Sequence, residues 1–136
     1  MAKLDHLFRL MHERNASDLH LFTGNEPALR IRGDMIRISS EVLTNEKLKE
    51  MLYEIVTPDK IRFFEQTGDL DFGYELDGLA RYRCNYFMQK NGHGAVFREI
   101  PSTILSVDQL GLPQVLKQLV MLPRGLVLCT GPTGSG

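Results

Sequence analysis

Two stretches of alternating apolar and polar residues between positions 69 and 88 restrict the fold most. The first has acids and glycine between its apolar positions, which are Leu70, Phe72, Tyr74 and Leu76. The second follows Asp77-Gly78 and has apolar residues at Tyr82, Cys84, Tyr86 and Met88. Alternation with period two is typical of strands with one buried face, and Asp-Gly favours a hairpin turn. Only a loop of odd length puts both apolar sets on one sheet face, so we predict a three-residue or bulged turn.

Helical spacing of apolar residues elsewhere predicts helices beside this sheet. We expect them over about residues 3–14, after a Thr44 cap, from Thr57-Pro58 to Gly68, and from about Pro113 to Met121. Further strands are expected at residues 17–22, in a hairpin around Gly33-Asp34, and over residues 95–100 after a turn that includes His93. The pattern predicts an α+β fold, an antiparallel sheet with flanking helices.

Composition excludes several classes of protein. The chain has 136 residues, 43% of them apolar, which is enough for one core of ordinary size. Its 16 basic and 17 acidic side chains form no basic block, so we expect no nucleic-acid partner. No stretch approaches the roughly 20 apolar residues that span a bilayer, so no direct membrane insertion is expected. Cys84 and Cys129 have no paired or metal-like spacing, which favours a reducing, cytoplasmic location.

The end of the chain has a different character. Leu126 to Cys129 is an unbroken apolar run between Gly125 and Gly131, which predicts a strand buried on both faces of a parallel sheet. Such a strand needs neighbours that this chain does not contain, so we expect a second domain that begins here and is truncated.

A glycine-rich segment follows that run and fits the first six positions of the phosphate loop, or Walker A motif, G-x-x-x-x-G-K-[ST]: Gly131, Pro132, Thr133, Gly134, Ser135 and Gly136. The chemistry requires glycines because successive backbone N–H groups must turn inward around the phosphates. Alone, the string could be a flexible glycine-serine tail. After a buried-strand pattern, the phosphate loop is the better interpretation.

Arginines on neighbouring strands form a second candidate site. With a short hairpin turn through Asn91-Gly92, Arg83 lies opposite or diagonal to Arg98, where like charges repel. An anion between them would relieve the repulsion, and guanidinium groups suit phosphate. Arg81 shares the parity of Arg83. The alternative is two exposed arginines paired with carboxylates of this chain, namely Asp71, Glu75 or Glu99.

Other polar residues point to no chemistry. Asp18 and His20 share one strand face but lack a third ligand, so a structural role is favoured and no metal site is expected. Cys84 is expected in the core, and Asp69 and Asp71 on the solvated face of a strand.

Five motifs in order carry a family resemblance. They are Ala16-Ser-Asp-Leu-His-Leu21, Arg81-Tyr-Arg-Cys-Asn85, Val96-Phe-Arg-Glu-Ile-Pro101, Leu110-Gly-Leu-Pro113, and the segment from Gly125 to Gly136. Together they span essentially the whole chain and resemble the PilT-type retraction ATPases of the type II/IV secretion ATPase superfamily. The resemblance implies a PAS-like N-terminal domain over residues 1–100, a linker over 101–112, and the start of a RecA-like ATPase domain over 113–136.

The resemblance also implies a homohexamer that binds ATP with Mg²⁺ between the two domains. Arg83 and Arg98, with Arg81 beside them, would reach the phosphates and balance charge on the transferred phosphoryl group. Residues on the adenine side would be Leu110, Leu112 and Pro113. The full-length motor would act in the cytoplasm on an inner-membrane platform protein of the pilus machinery and drive pilus retraction and twitching motility. Residues 1–136 alone are expected to be inactive.

Other functions remain open. A pilus-assembly or type II secretion ATPase shares these motifs, but it usually carries a further domain before this one, whereas Ser17 comes early here. After the main retraction ATPase, the next candidate is a PilU-like accessory retraction ATPase. A PAS-like ligand-binding or sensory module predicts an internal apolar pocket and no role for the arginines, and a structural ring adaptor predicts self-association without nucleotide affinity.

We also expect residues after Leu122 to be mobile without the sheet to which they belong.

Overall fold

A computed structural model of the protein describes residues 2–101 and 104–131, and it contains two compact units, Met1–Ser102 and Thr103–Gly136. The first unit contains, in chain order, α1 (Lys3–Glu13), β1 (Asp18–Phe22), β2 (Ala28–Ile31), β3 (Asp34–Arg37), α2 (Asn45–Tyr53), α3 (Pro58–Thr67), β4 (Asp69–Leu76), β5 (Ala80–Gln89) and β6 (Gly92–Ile100). The second unit contains α4 (Val115–Leu119).

The strands form one six-stranded sheet in the order β3-β2-β1-β6-β5-β4, and every neighbouring pair is antiparallel. The central pair, β1 and β6, joins the first strand of the chain to the last, and a hairpin lies on each side. The predicted antiparallel sheet with flanking helices is confirmed.

One face of the sheet packs on the helices and forms the core. Phe8 of α1 stacks on Tyr82 of β5 with ring centroids 4.3 Å apart, and its ring meets that of Phe97 edge-on at 5.1 Å. Tyr86 is fully buried and donates its hydroxyl to the Leu52 carbonyl at 3.0 Å, which satisfies its one polar atom. Cys84 is also buried, as predicted.

The β4–β5 loop has the predicted odd length. Leu76 pairs with Ala80, which leaves three loop residues, and Gly78 among them has φ 72°. With this register the even-numbered residues of both strands face the core, and the odd-numbered ones, including Arg81 and Arg83, face away from it. The loop length therefore decides which side chains reach the outer face of the sheet.

The helix ends follow the sequence signals in most respects. The Thr44 side chain accepts a hydrogen bond from the Lys47 amide at 3.3 Å, which caps α2. Thr57 precedes Pro58 at the start of α3 as predicted, but its side chain makes no capping hydrogen bond. Gly68 ends α3 with φ 74°, a left-handed conformation that favours glycine.

Two predicted hairpin turns are present but shifted along the chain. The β2–β3 turn is Arg32-Gly33, with φ values of 53° and 96°, as a tight two-residue hairpin requires, so it lies one residue before Gly33-Asp34. The β5–β6 turn is equally short, because Gln89 pairs with Gly92. His93 is consequently a buried strand residue and not the predicted turn residue.

The second unit differs more from the prediction. Its helix spans Val115–Leu119 and not residues 113–121, and the predicted strand at Leu126–Cys129 is absent, with Leu126 82% exposed. The reason is that a buried parallel strand needs hydrogen-bonding neighbours, and none of the described residues supplies one. No described helix is long and apolar enough to cross a membrane.

Candidate functional site

A row of charged residues crosses the outer face of the sheet. Arg83 of β5 pairs with Arg98 of β6, as predicted, and Arg98 in turn pairs with Asp18 of β1. On its other side, Arg83 faces Gly73 of β4. The antiparallel registers therefore place two guanidinium groups and their neighbours on one surface.

Asp18 is the partner of Arg98. Its side chain is buried, and it accepts hydrogen bonds from Arg98 Nε at 2.9 Å and from Ser17 Oγ at 2.8 Å. Arg30 Nε lies 3.6 Å from its second oxygen. Burial opposes ionisation of this carboxyl, but the hydrogen bonds from Ser17 and Arg98 outweigh it and hold the pKa of Asp18 below its usual value. Asp18 is therefore a carboxylate at neutral pH.

Asp71 is the partner of Arg83. Its oxygens accept from Arg83 Nε at 3.1 and 3.2 Å and from Arg83 Nη2 at 2.5 Å, a bidentate contact between exposed side chains. The hydrogen bond from Arg83, and then its charge, lower the pKa of Asp71, and the same contact raises the pKa of Arg83.

The third arginine has a weaker contact. Arg81 Nε lies 3.9 Å from Glu75, and Arg81 pairs with Ile100 across β5 and β6. Two of the three carboxylates named in the alternative prediction, Asp71 and Glu75, therefore do pair with arginines. The third, Glu99, instead accepts a hydrogen bond from His12 at 2.8 Å. Carboxylates of this chain already relieve the repulsion that called for an anion.

Arg83 and Arg98 border a shallow pocket of about 400 Å³ lined by Asp18, Asp71, Arg83, Asn85, Val96 and Arg98. Arg98 uses only Nε for Asp18, and its two terminal amino groups donate to no other group among the described residues. The Arg98 side chain is 67% exposed, although its carboxylate partner is buried. The free donors of its guanidinium group therefore face this surface. The arrangement suits contact with an anion.

Sequence reasoning did not place Asp18 or Asn85 at this pocket. The sequence favours a structural role for Asp18 but does not reveal its partner, Arg98, which is 80 residues away. The one available signal is the position of Asp18. It is an acidic residue in a strand whose Leu19 and Leu21 belong to the centre of the sheet.

The remaining predicted site residues lie in the second unit. Leu110, Leu112, Pro113 and Gly131 are exposed there, and Pro132, Thr133, Gly134, Ser135 and Gly136 lie outside the described residues. Within residues 2–101 and 104–131, no three His, Cys, Asp or Glu side chains are grouped as a metal site would require.

Comparison with known proteins gives a consistent result. No family model matches the chain. The type IV pilus retraction ATPase PilT of Pseudomonas aeruginosa is 44% identical over 124 residues, which are 91% of this chain and 36% of that protein. The crystal structure of the pilus retraction motor PilT with bound ADP superposes with a TM-score of 0.81 at 34% identity, over 100% of this chain and 40% of that one.

This chain belongs to the PilT family. The type IV pilus ATPase PilU of P. aeruginosa is a more distant relative, 31% identical over 98% of this chain and 35% of its own length. The chain of this PilT-family member therefore spans little more than a third of the length of these two relatives.

Proposed function

We propose that this chain is the N-terminal part of a hexameric P-loop ATPase that powers type IV pilus retraction and twitching motility, and that Arg83 and Arg98 contact the phosphates of ATP. The observation that supports this most is that the two arginines lie side by side on one open sheet face. They belong to the motifs at residues 81–85 and 96–101 of a chain that is 44% identical to a retraction ATPase. Arg81 is a weaker third candidate.

The side chains at this face fit a triphosphate. Both arginine side chains are about two-thirds exposed, and the free terminal amino groups of Arg98 can offer planar, multidentate contacts to phosphate oxygens. Bound ATP with Mg²⁺ would supply the phosphoryl group that is transferred. The arginines would orient it and balance the charge that develops on it.

In this proposal the rest of the protein completes the motor. Residues 1–100 form a PAS-like domain, residues 101–112 a linker, and residues 113–136 the start of a RecA-like domain that includes the phosphate loop. Leu110, Leu112 and Pro113 lie on the adenine side. The hexamer works in the cytoplasm against an inner-membrane platform protein of the pilus machinery.

Two observations weigh against the alternatives. The chain is less similar to PilU than to PilT, 31% against 44%, which favours the main retraction motor over an accessory one. A sensory module would need an internal apolar pocket, but Phe8, Tyr82, Tyr86 and Phe97 fill the centre of the core with rings in direct contact.

The test is ATP hydrolysis by the full-length gene product with Arg83→Ala or Arg98→Ala, with nucleotide binding measured separately. We expect kcat to fall about a hundredfold or more, as when one preorganised donor to a transition state is removed. Arg62→Ala is the matched control, because Arg62 is an exposed arginine paired with Asp59 on α3, away from this face. Unchanged turnover in both variants would exclude the phosphate role.

The direction of pilus movement needs a cellular test. A strain lacking the gene should keep surface pili and lose twitching motility, and the Arg98→Ala gene should not restore it. A strain without pili would instead indicate an assembly ATPase.

A further inference from the structure

The two arginines of the site are held by carboxylates of very different character. The Asp18 side chain is 6% exposed and meets only the Nε of Arg98, whereas the Asp71 side chain is 41% exposed and meets both Nε and Nη2 of Arg83. One contact leaves the donor edge of its arginine free, and the other occupies it.

We propose that Asp18 is a positioning residue that holds Arg98 ready for a phosphate, and that Asp71 is a displaceable partner that the phosphate must replace at Arg83. This inference rests on the proposed function and adds a division of labour between the two arginines.

The environment of Asp18 makes its contact permanent. Ser17 and Arg98 both donate to it, Arg30 lies near its second oxygen, and β1 and β6 are paired at this position. A buried carboxylate that lost its arginine would keep an uncompensated charge, which is costly. Arg98 therefore keeps its Nε contact while its terminal amino groups remain available at the pocket.

The environment of Asp71 makes its contact exchangeable. Both side chains are solvated, and exposed ion pairs contribute little to stability. Arg83 also has room to move, because Gly73 faces it across the strands and a Cβ there would meet nothing within 4 Å. The neighbouring position on β4 therefore places no side chain in the way of the guanidinium.

The contact geometry favours exchange at one of the two arginines. Asp71 occupies Nε and Nη2 of Arg83, so a phosphate that uses this edge has to replace it. Release of Asp71 from Arg83 gives the phosphate a complete guanidinium fork, and the exposed pair costs less to separate than the buried one.

Asp71→Asn in the full-length protein tests the exchange. Without the competing carboxylate, we expect ADP and ATP to bind about two- to fivefold more tightly, the range that an exposed ion pair provides. The gain should vanish in the Arg83→Ala background. Asp59→Asn is the control, since it removes an exposed carboxylate from a matched arginine pair on α3 and should leave affinity unchanged.

Asp18→Asn and Asp18→Ala test the positioning. We expect kcat for ATP to fall about tenfold or more, with a smaller change in KM, and less for Asn, which still offers an oxygen to Arg98 Nε. In the Arg98→Ala background the same changes should have almost no further effect. An equal loss in both backgrounds would mean that Asp18 only supports the fold.

The outcomes separate the two levels of the argument. If Arg83→Ala and Arg98→Ala leave nucleotide binding and turnover unchanged, the proposed function fails. If they impair the enzyme but Asp71→Asn binds nucleotide no more tightly, or more weakly, than wild type, the proposed function stands and the exchange at Arg83 is wrong.

Discussion

At the scale of single residues, His93 shows how a buried polar group fixes the edge of the core. Its backbone amide and its Nδ1 both lie within hydrogen-bond distance of Asn45 Oδ1, at 3.0 and 2.7 Å, and Thr23 Oγ1 donates to its carbonyl at 2.9 Å. A Cβ on Gly92 would lie 2.2 Å from Asn45 Oδ1, and the φ of Gly92 is 123°, so the close approach of β6 to α2 favours glycine there.

This environment predicts a pH-dependent stability. Burial, and then the charge of Lys49, lower the pKa of His93, so the folded state binds its proton less readily than the unfolded state, whose pKa is about 6.5. The stabilisation is complete above that pKa and is lost as the pH falls below it. We expect the free energy of unfolding, measured by urea titration, to decrease between pH 7.5 and 5.5, and the decrease to be smaller in His93→Gln.

The control for this experiment is His6→Gln, the same replacement at an exposed histidine of α1. Some dependence should survive in His93→Gln, since burial also lowers the pKa of His20. A pH dependence in His93→Gln equal to that of wild type would contradict the assignment.

At the scale of elements, the two threonines that begin helices offer a matched comparison. Thr44 caps α2 through its side chain, whereas Thr57 at the start of α3 makes no such bond. We expect Thr44→Ala to lower the free energy of unfolding by about 1 kcal/mol, the usual value of a side-chain cap, and Thr57→Ala to lower it by clearly less. Equal losses in urea titrations of the two variants would show that the cap bond is not the cause.

The elements also show what a sequence can reveal about this fold. Sequence signals were sufficient for features that depend on neighbouring residues. Alternation of apolar and polar residues predicted β4 and β5, the numbering of their apolar positions predicted the three-residue loop, and Gly68 predicted the end of α3. They failed where the determinant was distant. Nothing near Arg98 in sequence indicates that Asp18 holds it, and the apolar run at Leu126–Cys129 has the composition of a strand without the neighbours of one.

At the scale of the whole molecule, the two units differ in what stabilises them. Every described buried apolar residue, from Leu4 to Phe97, belongs to the first unit, whereas the second exposes Ile104, Val120 and Leu126 by more than 70%. We therefore expect a chain ending at Pro101 to unfold cooperatively, with a Tm within about 4 °C of the 136-residue chain, a shift that corresponds to about 1 kcal/mol or less in a domain of this size. A larger decrease would mean that the second unit stabilises the first.

The same difference predicts where backbone amides exchange with solvent. In the 136-residue chain, the amides of β5 and β6 take part in a two-sided ladder and should be strongly protected, whereas those of Leu126–Cys129 have no strand partner and should exchange almost freely. In the full-length gene product, the proposed RecA-like sheet would give this run neighbours on both sides, so its amides should become as slow as those of β5. Hydrogen exchange followed by mass spectrometry on both proteins measures this directly. Protection of these amides already in the 136-residue chain would mean that the run finds its strand partners within this chain. If the amides are unprotected in the full-length protein as well, the run is not a strand of an ATPase-domain sheet, and the phosphate loop that follows it is not anchored there.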